Sequence, residues 1–304
     1  MVMSATAFWG AVETGLVYGF LSLGVYLSFR VLDFPDLTVD GSFPLGAAVA
    51  GTLIVTGMNP FLATGCAIAA GLLAGLCTAI LCVRFGILNL LASILTMTAL
   101  YSVNLRIMGR PNLPLLNQPT VVDPFEAWLS GIPEAIAIPL ILFASLGITK
   151  LLVDYFLNSS LGLAMRATGM NPGMAQAQGI RTNGLILLGM AISNGLAALA
   201  GALFAQLNGF ADVSLGVGTV VVGLATVIVG EALLPSSTVA LATLAVCGGA
   251  VLYWLASTLA LNVGSNFGFE ASDLRLVTAA IVAIALVLSN ARSLSPFNRK
   301  RSRS

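Results

Sequence analysis

Nine apolar stretches, each close to the length of a membrane-spanning helix, follow one another along the chain at about 11–29, 43–58, 61–83, 87–107, 134–153, 184–208, 218–235, 237–261 and 274–290. A span needs roughly 20 apolar residues, so nine such stretches joined by short connections leave no room in 304 residues for a soluble domain of ordinary size. Only 8% of the residues are charged and the mean hydropathy is +1.00. Soluble domains carry about 25% charged residues. The chain is therefore expected to be all-α: one polytopic transmembrane domain over residues 1–304, with about nine segments, the second and seventh short. Its first stretch carries Glu13 and has no basic residue before Arg30. It reads as a retained span and not as a cleaved signal.

Basic residues near span ends mark the cytoplasmic side. With an odd number of spans and the basic tail (residues 291–304) inside, Arg30, Arg84, Lys150, Arg166 and Arg181 also fall inside. Ten of the 13 Lys and Arg residues are then cytoplasmic, and only Arg106, Arg110 and Arg275 lie outside. The expected topology is N-terminus outside, C-terminus cytoplasmic.

Function classes narrow by what is missing. The chain has no histidine, and its cysteines (Cys66, Cys77, Cys82, Cys247) lie in apolar runs without metal-ligand spacing, which suits small hydrophobic packing. No metal site and no catalytic cluster is expected. The lysines, Lys150 and Lys300, stand in no phosphate-loop setting. If transport is ATP-driven, ATP and Mg²⁺ bind a partner chain and this chain holds no cofactor of its own. Nothing points to nucleic acid. Glycine pairs at Gly15/Gly19 and Gly71/Gly75 permit close backbone contact, either within one bundle or at a dimer seam.

Three connections carry information. Residues 30–44 hold Asp33, Asp36 and Asp40 beside Pro35 and Pro44, which interrupt helix. These acids lie near span ends, and irregular backbone at a membrane boundary survives only when buried in protein or lining a cavity. This makes Asp36, Thr38, Asp40 and Ser42, with the in-span amides Asn104 and Asn194, candidates for the solute pathway; a plain inner loop is the alternative. Residues 108–133 form a Pro-rich outer loop. Residues 154–183 form a long cytoplasmic segment with Met165, Met170 and Met174 exposed among polar groups. There Asn171 suits a helix cap, Pro172 its first turn and Gly179 the residue past its end. A helix of about two turns, roughly 10 Å long, follows, with Ser159 or Ser160 capping another piece before it. A connection this long reads as a docking surface whose ATPase-coupling residues are Arg166, Asn171, Pro172, Met174, Gln178, Gly179 and Arg181.

At this segment the sequence starts to resemble a family. Residues 162–179 and 183–201, with Asn171, Ala175, Gly179-Ile180, Gly195, Ala198 and Gly201, are similar to the coupling loop and following span of the branched-chain amino-acid and ribose permeases of bacterial ABC importers. Asp36-Leu37-Thr38-Val39-Asp40-Gly41-Ser42 resembles the family's early D-L-S-V-G-S element, and Ala92-Ser93-Ile94-Leu95-Thr96-Met97 its A-T-L-x-M helix. Gly216 and Gly218 precede a similar late short helix. The extra Asp40 resembles a tryptophan/tyrosine-type subgroup. The resemblance covers residues 10–290 and implies a multi-pass permease of the bacterial inner membrane. It further implies an ABC ATPase dimer, a periplasmic or lipid-anchored solute-binding protein, a homodimeric assembly, and a small amino-acid-like solute, aromatic in the narrowest form. Ribose permeases begin with an additional span that this chain lacks. The alternative is an ion-coupled secondary transporter, which requires acidic or His groups at the midplane beside broken helices.

Overall fold

The computed structural model describes residues 5–264 apart from 129–130, 132 and 235–237. Among the described residues, seven helical segments are long and apolar enough to cross a membrane, and an eighth apolar helix is shorter. They match the first eight apolar stretches. The stretch at 274–290 and the basic tail at 291–304 lie outside the described residues.

Among the described residues the longest helix, α9 (Thr182–Asn208), is the axis of the bundle. At 27 residues it runs about 40 Å. Packed around it are α1 (Ala5–Val25), α2 (Val39–Val55) and α3 (Pro60–Phe85). The helix α4 (Asn89–Met108) lies on α2 and α3. One short helix, α5 (Asp123–Trp128), precedes α6 (Glu134–Asn158), which rests on α1. Two short helices, α7 (Ser160–Met170) and α8 (Pro172–Ala177), lead into α9. The last described pair, α10 (Thr219–Leu233) and α11 (Val239–Gly264), form a hairpin against α1.

Local signals set the ends. Asn59 accepts a hydrogen bond from the Phe61 amide at 2.9 Å, Pro60 opens α3, and Gly86 at φ +69° closes it. At the opposite end of the bundle from α7 and α8, the Pro-rich loop carries β1 (Asn112–Pro114), antiparallel to β2 (Phe210–Asp212), with Leu113 opposite Ala211. The all-α expectation missed this pair, because three-residue strands leave no alternation to read. Leu113, Leu115 and Ala211 are buried against Ala47 and Ile54 of α2. The pair thus seals that end of the bundle. Asp212 there is partly buried, which disfavours its charge. Hydrogen bonds from Ser214 and Asn112 outweigh that cost and hold its carboxyl below the usual range.

Lipid gives helices no hydrophobic reason to associate, so close packing must hold them together. A methyl at Gly46 would overlap the Ala198 carbonyl, and one at Gly201 the Phe43 carbonyl, so α2 and α9 touch backbone to backbone. Gly71 and Gly75 lie equally close to α9, and Gly15 and Gly19 meet Val251 and Leu146. These glycines therefore pack within one chain, and not at a dimer seam. Cys66 and Cys77 face outward from α3 instead of packing inside. Gly201→Ala is expected to lower unfolding stability in detergent by about 1–3 kcal/mol. Gly147→Ala, where no atom lies within 4 Å of the new methyl, leaves stability unchanged or slightly raised. Equal loss in both variants would contradict close packing as the source of stability.

Candidate functional site

The coupling-loop residues form a surface at one end of the bundle. Ser159 accepts from the Gly162 amide to cap α7, and Asn171 accepts from the Met174 amide at 3.0 Å to cap α8. Past α8 the Ile180 amide returns to the Ala175 carbonyl at 3.0 Å, and Gly179 takes φ +82°. Gln176 donates to Thr182 Oγ1 at 2.8 Å, pinning α8 to the start of α9. Arg166, Asn171, Pro172, Met174, Gln178, Gly179 and Arg181 are all exposed. Met170 and Met174 protrude most, at 90% and 65% exposure. Met165 is instead fully buried, contrary to its expected exposure, because it lies on the α7 face that packs on α9 beside Gly189.

The pathway candidates lie deeper than a boundary loop. After α1 the chain widens into a π-helical segment (Tyr26–Val31) and turns at Asp33, φ +53°. It then runs back into the bundle as far as the start of α2. Asp36, fully buried, accepts from the Thr38 amide (2.8 Å) and from Asn194 Nδ2 (2.7 Å); Ser42 Oγ donates to Asn194 Oδ1 at 2.7 Å. Asn194 lies near the middle of α9, so the acids sit at mid-bundle and not near span ends. Thr38 and Thr78 share a hydroxyl hydrogen bond of 2.8 Å, and Asn104 Nδ2 donates to the Gly41 carbonyl at 3.2 Å. Asp36, Thr38, Ser42, Asn104 and Asn194 are fully buried and join α2 to α3, α4 and α9.

Asp40 does a separate job. The chain enters α10 through a 3-10 turn (Val213–Gly216), and α10 begins against α2, inside the bundle. The Asp40 carboxylate accepts from the amides of Gly218 (3.2 Å) and Val220 (2.7 Å) and from the Thr219 hydroxyl (2.8 Å). It is the N-cap of α10, supplied by another helix. Pro44 was expected to interrupt helix but lies inside α2. Lacking an N–H, it frees the Asp40 carbonyl, and a methyl at Gly216 would overlap that carbonyl.

Two contacts join this centre to the α7–α8 surface. A methyl at Gly169 of α7 would overlap the Val31 carbonyl, so α7 lies directly on the end of the π-helical segment. Next to it Arg30 Nε donates to Glu231 at 2.7 Å, tying that segment to the end of α10. The sequence carries no signal for the Arg30–Glu231 pair, whose members lie 201 residues apart. Thr78 and Thr219 were missed as well, since their partners are distant in sequence. Among the described residues no group of His, Cys, Asp and Glu could hold a metal ion. Asp40→Ala strands the first amides of α10 in a water-poor interior and is expected to cost about 2–3 kcal/mol of stability, against less than 1 kcal/mol on this scale for Asp33→Ala on the exposed turn. Thermal unfolding of purified protein checks the contrast, and matching losses would refute the cap.

The sequence matches the family described as "Branched-chain amino acid transport system / permease component" over residues 10–289. It is 37% identical over 295 residues to a "Tyrosine transport system permease protein" of Clostridioides difficile (strain R20291), covering 94% of this chain and 95% of that one. It is also 37% identical over 281 residues to an uncharacterized protein of Rickettsia prowazekii (strain Madrid E), covering 91% and 95%. Among solved structures, PsaBC from Streptococcus pneumoniae in complex with Fab aligns with TM-score 0.50 at 18% identity, covering 92% of this chain and 89% of that one; this likeness speaks to the fold alone. With a mid-bundle helix break, an exposed capped helix pair and a match over nearly its whole length, the chain belongs to the family of permease components of branched-chain amino acid transport systems.

Proposed function

We propose that the chain is the transmembrane subunit of an ATP-driven ABC importer of the bacterial inner membrane, moving a small amino-acid-like solute, aromatic in its preferred form, into the cytoplasm. The observation that carries this reading is the α7–α8 surface: a rigidly capped, exposed pair of helices with two protruding methionines, seated on the backbone of the π-helical segment. The distribution of basic residues supports a cytoplasmic position for it. The relative of Clostridioides difficile, named for tyrosine transport, supports the solute class.

In this reading an ATPase dimer, holding ATP and Mg²⁺, grips one α7–α8 surface on each of two copies of the chain. Methionine fills a partner's groove without demanding one shape. Closure of the ATPases presses α7 onto Val31. The π-helical segment passes the displacement to Arg30–Glu231 at one end of α10 and through residues 32–38 to Asp40 at the other. A solute-binding protein, periplasmic or lipid-anchored, docks on the β1–β2 end. The mid-bundle position of Asp36 and Asp40 is the one observation that favours ion-coupled transport. Against it, the oxygens of both carboxylates accept hydrogen bonds from the protein, which leaves them holding helices together and not a passing ion.

Met174→Asp is expected to leave the protein inserted and stable but to weaken ATPase association about tenfold or more, because a carboxylate in an apolar groove has no partner. Gly179→Val should damage α8 itself, since a branched side chain fits φ +82° badly. Co-purification with the ATPase, alongside solute uptake, tests both. Wild-type association and uptake in Met174→Asp would mean that α7–α8 is not the coupling surface.

A further inference from the structure

The helices α3 and α6 flank the central pair α1 and α9 but hardly touch each other. Between them lies a cleft of about 580 Å³, floored by Phe20 of α1 with Leu199 and Leu203 of α9. Leu203 is 6% exposed and Leu199 is partly buried, so an occupant of the cleft touches the axis of the bundle. Val121 and Val122, just before α5, and Phe125 within it roof the end nearest β1–β2. Phe125 meets Phe61 of α3 near edge-on, with ring centroids 6.1 Å apart. Buried Gln206 of α9 pins this roof: its Oε1 accepts from the Val121 amide at 3.0 Å, and its Nε2 donates to Thr64 Oγ1 at 2.9 Å. The roof is thus built into the fold. The cleft opens sideways, past exposed Ala144 and Ile148 of α6.

The lining decides what fits. Its hydroxyls, on Thr64, Ser145 and Thr149, each donate to a carbonyl of their own helix, at 2.8, 2.9 and 3.0 Å. The Val121 amide and the Gln206 side chain are engaged in holding the roof. Among the described residues no charged side chain lines the cleft. An amino acid entering it would lose its water shell without replacement. An apolar cavity of about 150 Å³ stays dry and admits benzene; this one is nearly four times as large, with room for one long acyl chain. Left empty, its walls would forfeit their dispersion contacts, and within a bilayer the apolar filler at hand is a lipid tail. The mouth is also continuous with a lipid-facing surface: Ile148, Leu151 and Leu152, three and four residues apart, form one outward apolar stripe on α6.

We infer that this cleft is a binding site for one acyl chain of a membrane phospholipid, which enters sideways between α3 and α6 and ends against Leu199 and Leu203. The chain fills the space that keeps the two helices apart and completes the packing around α9, the helix whose Asn194 and Gly201 hold α2. The inference needs only the transmembrane fold and stands apart from the importer reading.

The probe is phosphatidylglycerol carrying a photoreactive diazirine near the middle of one acyl chain. It is mixed into vesicles of unlabelled phosphatidylglycerol and phosphatidylethanolamine that hold the full-length chain. Photolysis is expected to leave adducts on α9 at Leu199 and Leu203, as well as on the outward residues Leu151 and Leu152 of α6. Ala144→Trp, which places an indole at the mouth, should cut the α9 adducts about fivefold or more. Adducts at Leu151 and Leu152 should persist in that variant, which also shows that it is inserted. Phe143→Trp, on the opposite side of α6, should leave the α9 adducts unchanged. Wild-type labelling confined to α6 would mean that no lipid chain enters, with the cleft empty or filled by a protein segment, and would overturn the inference. So would α9 adducts that survive Ala144→Trp. Loss of α9 adducts on adding millimolar tyrosine would assign the cleft to solute and overturn it equally. The importer reading is tested separately, by ATP-dependent uptake.

Discussion

The carboxylate of Asp40 on the first amides of α10 is the interaction on which the rest of the bundle depends. The N-terminal turn of a helix leaves four N–H groups without partners, and its dipole makes that end positive. At a water-filled surface this costs little; inside a membrane bundle it must be answered by another group. Asp40 answers it with both oxygens, so α10 starts in the interior, next to α2. The surrounding residues follow from that choice: Pro44 frees the Asp40 carbonyl, and Gly216 lets the incoming chain pass over it.

A helix break in the middle of a membrane protein is tolerated only where protein encloses it, and here the enclosure is also a linkage. Asp36, Thr38 and Ser42 fix the returning chain to α3 and α9, while Gly169 seats α7 on Val31. A push at the α7–α8 end therefore meets no soft layer before it reaches the two helix starts. Both ends of α10 are held from neighbouring stretches of the chain, by Arg30 of the π-helical segment at Glu231 and by Asp40 in the first turn of α2 at the other end. Such packed contacts switch between arrangements instead of deforming gradually, which is the behaviour a transport gate requires.

How much of this the sequence disclosed depended on distance along the chain. The α8 cap, its proline and its terminal glycine lie within nine residues, and each signal is local, so the helix was legible residue by residue. The spans were legible because lipid imposes apolar length. The Asp40 cap joins residues 178 apart, and the Asp36–Asn194 bond spans 158, so sequence indicated that these acids were unusual without showing what they held. The burial of Met165 was hidden for the same reason: the face of α7 that packs is set by Gly189 on another helix. The β1–β2 pair was hidden by shortness, being stabilised by its contact with α2 and not by any pattern of its own.

The proposed role requires that a separate ATPase drive solute through this chain. The direct measurement is uptake of tyrosine and related amino acids into proteoliposomes containing the permease, its ATPase and its solute-binding protein. The expected result is uptake that requires ATP hydrolysis and all three components and is indifferent to imposed proton or sodium gradients. Uptake by the permease alone, driven by an ion gradient, would contradict it.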